Sequence, residues 1–307
     1  MEERTFRVKT RDGMELFVRR ISSQNSNGQP VHIMHGMGDH SGRYKDFSRF
    51  LAESGYIVYA HDHRHHGNSV KQKASLGIFD ASDTFDTLVD DALRVQETIA
   101  QKENTDSIIT LGHSMGSIVL RRMLQKEPPY VEKAIVMGTL PRYSKQFIYG
   151  MLLVLNVSSV FKKNKERHHF MAKVLHDKTN RSFIKAGEDK NAWISNDPEV
   201  VRRYNEDPLC GITYNKHFYA AFLKGLLEVN RLENIARTKR VDTLFISGFE
   251  DPLNKRMKEI DKLCLTYQNV IDHFSASVVG INGARHEVLN EKNKEDTYQK
   301  IMEWLDT

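Results

Sequence analysis

The chain of 307 residues holds 45 Lys/Arg against 40 Asp/Glu, a net charge of +5, with 39% hydrophobic and 28% charged residues. Such a composition excludes a disordered or fibrous chain and suits one large α/β domain with an insertion, or two modest domains. The charge surplus is local: residues 162–190 hold nine Lys/Arg against four Asp/Glu, which describes one basic face and excludes a nucleic-acid-binding stripe.

Met1-Glu2-Glu3-Arg4 is polar and no apolar signal region follows it, so no secretory leader is expected. Two runs, Phe6 to Lys9 and Leu16 to Ile21, flank Arg11-Asp12-Gly13, an Asp-Gly hairpin signal. Val31 to Met34 reads as a strand ending at His35-Gly36. Tyr44, Phe47 and Leu51 have helical spacing up to Gly55, and Tyr56 to Ala60 is again a strand. Phe85, Leu88, Val89, Ala92, Val95 and Ile99 share one helical face, with Ser82 or Asp83 as N-cap. Ser107 to Leu111 is a strand, Ser117 to Leu124 a helix, and Ala134 to Met137 the next strand.

The alternation breaks after Leu140. Pro141 to about Glu228 carries helical patterns and no strand, including the apolar Phe147 to Phe161. That stretch contains Gly150, Asn156, Ser158 and Ser159 and falls short of the ~20 residues a membrane span needs. Strands resume at Thr243 to Ser247 and Ala276 to Val279, with helices at Met257 to Cys264 and Asp296 to Leu305. Cys210 and Cys264 lack CxxC spacing and read as reduced, buried thiols. The expected product is a soluble, cytoplasmic α/β protein with a mostly parallel sheet. Its expected division is a core in residues 1–140 and 231–307 and a helical cap in residues 141–230.

Gly112-His113-Ser114-Met115-Gly116 follows an apolar strand and precedes a helix, the context of a nucleophile elbow. A serine in so tight a turn needs small residues two positions away on each side, and Gly112 and Gly116 supply them. The hydroxyl would then sit at a helix N-terminus, where the dipole favours an oxyanion. Serine needs a base oriented by a carboxylate, and in this type of fold the partners follow in the order acid, histidine. Asp251, before Pro252 at a strand end, is the expected acid, in preference to Glu250 and to Asp242 at the strand's start. His286 follows the last strand and is the expected base, whereas His273 precedes that strand. Oxyanion donors are expected from the backbone N–H of Met115 and, in the loop His35-Gly36-Met37-Gly38, of Met37.

Together these segments resemble the monoacylglycerol lipase and bacterial lysophospholipase branch of the α/β hydrolases, a serine aminopeptidase S33-like group. Residues His35 to Tyr44 are similar to its HGxGEHSGRY loop, with Asp39 for Glu, and Gly112 to Gly116 match its GHSMG. Asp62 to Ser69 resembles its DxRGHGxS, with His65 for Gly. Gly248 to Pro252 and Gly283 to Glu291 match its acid and histidine segments. Trp193 to Ser195 and Asn205 to Gly211 resemble its cap. The resemblance implies about eight strands, a helical cap, and hydrolysis of single-chain acyl esters through an acyl-enzyme with no cofactor and no metal. It carries the triad over as Ser114, Asp251 and His286, with Met37 and Met115 as oxyanion donors. Phe147 to Phe161 would give an acyl chain apolar walls, or form a buried cap helix. Asp39 would bear on how the alcohol portion is held.

Other carboxylesterase, thioesterase and aminopeptidase activities share this machinery, because the cap selects the substrate. A non-catalytic binding module is a further alternative. His61-Asp62-His63-Arg64-His65-His66 is superficially similar to the HxHxDH of metallo-β-lactamase-like hydrolases, but His65 stands where that motif needs Asp. Lys162, Lys163, Lys165 and Arg167 are expected either to meet anionic lipid in transient contact of the cap with a membrane surface or to form a solvated face.

Overall fold

Aliphatic and β-branched segments pair into one eight-stranded sheet in the order β1-β2-β4-β3-β5-β6-β7-β8. The strands are β1 (Glu2–Lys9), β2 (Glu15–Ser22), β3 (Pro30–Met34), β4 (Ile57–His61), β5 (Ile108–His113), β6 (Val131–Met137), β7 (Asp242–Gly248) and β8 (Ala276–Ile281). The computed structural model describes the chain apart from residues 27, 161, 162 and 164, and apart from the side chains of residues 176–182. β1 and β2 form an antiparallel hairpin whose turn holds Gly13 at φ 89, and β2 runs antiparallel to β4. Every other pairing is parallel. Strands β3, β4 and β5 are buried along their whole length, as the central strands of a two-sided parallel sheet must be.

Alternate residues of the strands serve two cores. Ala134, Val136 and Phe245 face α2 (Phe85–Glu103), α3 (Met115–Leu124) and α9 (Lys258–Val270). Ile135, Met137, Leu244 and Ile246 face α1 (Lys45–Glu53) and α10 (Lys294–Leu305). A third cluster packs Val95, Ile99 and Ala100 of α2 on Val8, Leu16, Val18, Ile57 and Tyr59. The molecule is therefore a doubly covered α/β sheet.

Between β6 and β7 the described residues form only helices and one isolated bridge, Arg167–Asn215. They are α4 (Lys145–Ser158), α5 (His169–Lys185), α6 (Pro198–Glu206), α7 (Lys216–Val229) and the short α8 (Leu232–Ile235). Ser144, Asp197 and Asn215 each accept a backbone N–H as N-caps of α4, α6 and α7, and Pro198 opens α6. Ile148, Met151 and Leu155 of α4 are buried in the cluster that contains Phe218, Tyr219 and Phe222 of α7.

Two local expectations need correction. The N-cap of α2 is Thr84, whose side chain accepts from Thr87 N in a capping box, not Ser82 or Asp83. The Asp83 carboxylate is engaged instead by Arg64 and His65. The first strand starts at Glu2 rather than Phe6, because as an edge strand it needs only one buried neighbour, and Glu2 and Glu3 pair in register with Ser22 and Ile21.

Candidate active site

Four loops converge at the carboxyl ends of parallel strands, where open α/β sheets place their ligands. They follow β3, β5, β7 and β8. After β5 the backbone turns at Ser114, held at φ 52 and ψ −116, and enters α3 at Met115. A left-handed φ is rare for a residue with a side chain and is maintained only by surrounding contacts. Here Ser114 N donates to Met137 O at 3.0 Å, and Ser117 N and Oγ donate to Ser114 O at 3.0 and 2.5 Å. A Cβ at Gly112 would collide with the Gly116 carbonyl, and one at Gly116 with the Met34 carbonyl. Those two glycines let β3, β5 and α3 close on one another. Ser114 remains partly exposed at the tip.

The loops after β7 and β8 approach as closely. A Cβ at Gly248 would collide with the carbonyls of Ala284 and Arg285. That contact brings Asp251 Oδ2 to 2.8 Å from His286 Nδ1, both side chains buried. Asp251 Oδ1 accepts from Leu253 N at 2.9 Å, and Oδ2 also accepts the Ser247 hydroxyl at 3.3 Å. Asp242 and Glu250 are exposed, which separates them from this arrangement. With Nδ1 committed to Asp251, His286 Nε2 is buried without a hydrogen-bond partner among the described residues. Burial alone would lower the His286 pKa, but the charge and hydrogen bond of Asp251, with Glu287 and Asp39 beyond, raise it above the ordinary imidazole value. The ring packs between Trp193 and His113, each with its centroid 4.9 Å away. His113 immediately precedes Ser114, so the elbow and the Asp251–His286 pair are in direct contact.

The loop after β3 lies against the elbow: a Cβ at Gly36 would come 3.1 Å from Ser114 Cβ. Met37 packs on the apolar cluster that includes Met115. Met115 is the first residue of α3, where a backbone N–H has no partner within its own helix.

The family model described as serine aminopeptidase, S33, matches residues 26–293. The chain belongs to the serine aminopeptidase S33 family of α/β hydrolases. Mouse monoglyceride lipase is 27% identical over 230 residues, covering 75% of this chain and 65% of that enzyme, just under two thirds of its length. The monoglyceride lipase homolog of Monkeypox virus is 24% identical over 278 residues, covering 90% and 88%. A crystal structure of a thermostable carboxyl esterase from Bacillus coagulans superposes with a TM-score of 0.89 at 20% identity, covering 100% and 98%. The eight-stranded α/β-hydrolase fold and the resemblance read from the motifs are both borne out.

In this S33 family member a buried ionic network backs the site, and sequence reasoning did not find it. Arg43 donates two 2.6 Å hydrogen bonds to Glu287 and one of 3.2 Å to Asp39. Burial opposes the charge of Asp39, yet Arg43, His40 and His113 hold its carboxyl below the usual range. The Tyr44 hydroxyl donates to Asp39 Oδ2 at 2.8 Å and lies 2.8 Å from His113 Nδ1, and His113 Nε2 faces the His286 carbonyl at 3.2 Å. The usable signal was the ionic pattern flanking each motif, Asp39 and Arg43 in the first and Glu287 beside His286 in the last.

The histidine run does not form a metal centre. His32, His61 and His63 bond ring to ring in series at 2.8 and 3.2 Å, and His63 Nε2 meets the His35 carbonyl at 3.2 Å, so their nitrogens do not converge. Asp62 is occupied by the N–H groups of Ser41 and Asn68 at 2.7 and 2.6 Å. His65 takes a left-handed φ of 59, and its ring pairs with Asp83 at 2.9 Å. Among the described residues the one compact group of metal-ligating side chains is His40, Asp207 and Cys210. Burial and nearby Asp39 keep the Cys210 thiol protonated, which disfavours it as a ligand. Of the four basic residues expected to face lipid, Lys162 lies outside the described residues. Arg167 is turned inward, donating to the carbonyls of Thr213 and Ala74 at 2.5 and 3.4 Å.

Proposed function

We propose that the protein is a serine hydrolase that cleaves carboxylic esters of single acyl chains, of monoacylglycerol or lysophospholipid type. The observation that carries this reading is the Asp251–His286 hydrogen bond of 2.8 Å, which leaves Nε2 buried and unengaged on a ring that packs against His113, the residue before the serine of the elbow. His286 Nε2 takes the proton of Ser114 Oγ as that oxygen attacks the ester carbonyl. Asp251 fixes the tautomer and stabilises the imidazolium. The N–H groups of Met37 and Met115 receive the oxyanion. The alcohol leaves with the proton from His286, and water hydrolyses the acyl-enzyme by the same relay in reverse. No cofactor and no metal enter these steps.

Met115, Ile148, Met151 and Tyr219, with Met37 packed against their cluster, supply the apolar surface that would meet an acyl chain. The mouse relative is by name a monoglyceride lipase and the Monkeypox virus relative a homolog of one. An amine-recognising peptidase would want an unpaired carboxylate facing Ser114, whereas Asp39 and Glu287 in the adjoining loops are both engaged by Arg43.

The outer face of α4 and the turn after it serve contact with a lipid surface: Leu153 and Val157 are 63% and 65% exposed on the helix and Val160 68% in the turn, followed by the exposed Lys163 and Lys165. No helix among the described residues is long and apolar enough to cross a membrane. Such contact would be peripheral.

The test is a panel of p-nitrophenyl esters, monoacylglycerols and lysophospholipids assayed beside Ser114→Ala, with fluorophosphonate labelling. Turnover of medium or long acyl esters that disappears in Ser114→Ala, with labelling at Ser114, is expected. Turnover that survives Ser114→Ala, or that is confined to peptides, would overturn the reading.

A further inference from the structure

Gly38 is gripped on both sides of its backbone by one short stretch of the helical insertion. Its N–H donates to the Tyr214 hydroxyl at 2.5 Å, and its carbonyl accepts from Gly211 N at 2.9 Å. Gly38 sits at φ 64, and a Cβ there would press on the Tyr204 hydroxyl and Gly211 N at 3.3 and 3.4 Å. Only glycine lets the insertion come so close.

The direction of the Tyr214 hydrogen bonds follows from chemistry. His66 Nδ1 lies 2.8 Å from the Arg64 carbonyl, which can only accept, so Nδ1 carries the imidazole proton. His66 Nε2, 2.8 Å from the Tyr214 oxygen, must then accept from it. The result is a one-way chain from Gly38 N–H through the Tyr214 hydroxyl to His66 Nε2. Donation to His66 makes the phenol oxygen a better acceptor for Gly38. Neither ring can wander, since Tyr214 stacks on Phe218 at 3.7 Å and 17°, and His66 packs edge-on against Phe79.

The preceding peptide is held independently. His35 Nδ1 faces the Gly36 carbonyl at 2.8 Å, while His35 Nε2 accepts from His63 N at 2.9 Å. Gly36 C=O and Met37 N–H belong to one peptide plane, so fixing the carbonyl aims the N–H to the opposite side. Clamping the next plane at Gly38 removes the remaining rotation about Met37.

We propose that Tyr214 is a positioning residue that, with His66 as acceptor, locks the Met37–Gly38 backbone in the orientation that stabilises an oxyanion. The proposal rests on the reading of Ser114 as nucleophile and Met37 as oxyanion donor. It makes the insertion part of the catalytic geometry as well as a cover for substrate.

The test compares full-length Tyr214→Phe, His66→Leu, their double variant and Ser114→Ala in ester hydrolysis, alkylboronic-acid inhibition and thermal melting. Tyr214→Phe keeps the ring stack and removes only the hydroxyl. Direct loss of an oxyanion donor costs about 10²–10³ in kcat, so loosening one should cost roughly tenfold. The boronate, whose tetrahedral adduct needs the same donor, should lose affinity by the same factor, with KM nearly unchanged and a modest fall in the melting midpoint, because Gly38 N–H and His66 Nε2 lose a buried partner. His66→Leu should shift kcat in the same direction, and the double variant should be no worse than Tyr214→Phe. Unchanged kcat and boronate affinity in Tyr214→Phe beside an inactive Ser114→Ala would overturn the clamp alone, as would a loss confined to KM or melting. An active Ser114→Ala would overturn the clamp together with the reaction it serves.

Discussion

Asp251 Oδ2 and His286 Nδ1 are joined at 2.8 Å across 35 residues of sequence, at a point where two loops touch through Gly248. Asp251→Asn keeps the shape but presents a donor to Nδ1–H, so the imidazole is pushed into the wrong tautomer. A loss of about 10⁴ in kcat is expected, by analogy with the same change in serine proteases. Glu250→Gln, at an exposed position, should stay within about twofold, as for a surface change that leaves the Asp251–His286 contact untouched. Steady-state kinetics of the two variants would reverse the assignment of the acid if their order were inverted.

The pH dependence of activity follows from the sign of the His286 shift. In the proposed mechanism the base works as neutral imidazole, and the His286 pKa is raised above the ordinary value. Activity should therefore fall as pH drops through a value higher than that of a free histidine. A profile of kcat/KM against pH measures it directly, and a midpoint below the ordinary imidazole value would contradict the Asp251 contact.

Arg43 neutralises two buried carboxylates, Asp39 and Glu287. Arg43→Met would strand both, and breaking a buried pair in this way costs about 3–5 kcal/mol. The urea midpoint should fall accordingly. Adding Asp39→Asn and Glu287→Gln to Arg43→Met should recover much of the loss, because no unpaired charge would then remain.

Acid should unfold the protein steeply. His35, His61 and His63 are driven well below the ordinary imidazole pKa by burial first and neighbouring histidines second, and burial takes His32 to about 3 and His66 to about 4. These groups stay neutral in the folded state while the unfolded chain protonates them below about 6.5. Stability is thus lost as pH falls from there toward about 4, each histidine contributing up to about 1.4 kcal/mol per pH unit. Calorimetric melting between pH 7 and pH 5 checks the slope, which His61→Gln should reduce.

What could be read from the sequence was whatever is local or ordered along the chain. Ser114 and its two glycines stand within five residues, and the turn they make leaves no choice of residue type. Asp251 and His286 were legible because each follows a recognisable strand, so position at a strand end substituted for distance. Tyr214 reaches Gly38 across 176 residues, and Arg43 reaches Glu287 across 244. Nothing periodic marks such pairs, since they depend on side-chain reach between elements whose packing is not encoded locally. The α2 cap was misplaced for a related reason: Asp83 has the right chemistry but is claimed by Arg64 and His65.

The insertion is stitched to the core along one of its halves. Asn196 reaches the Gly283 carbonyl, Ser195 donates to Glu291 at 2.8 Å, Trp193 packs on His286, and Gly211 and Tyr214 hold Gly38. Residues 193–214 therefore cannot be exchanged between homologues as an independent module. On the proposed reading, changes in α4 would alter substrate range, whereas changes in residues 193–214 would also disturb the loops after β3 and β8 that they hold. A chimera replacing only residues 145–158 should fold with altered chain-length preference, while one replacing residues 141–230 entire should fold poorly or turn over slowly whatever the donor.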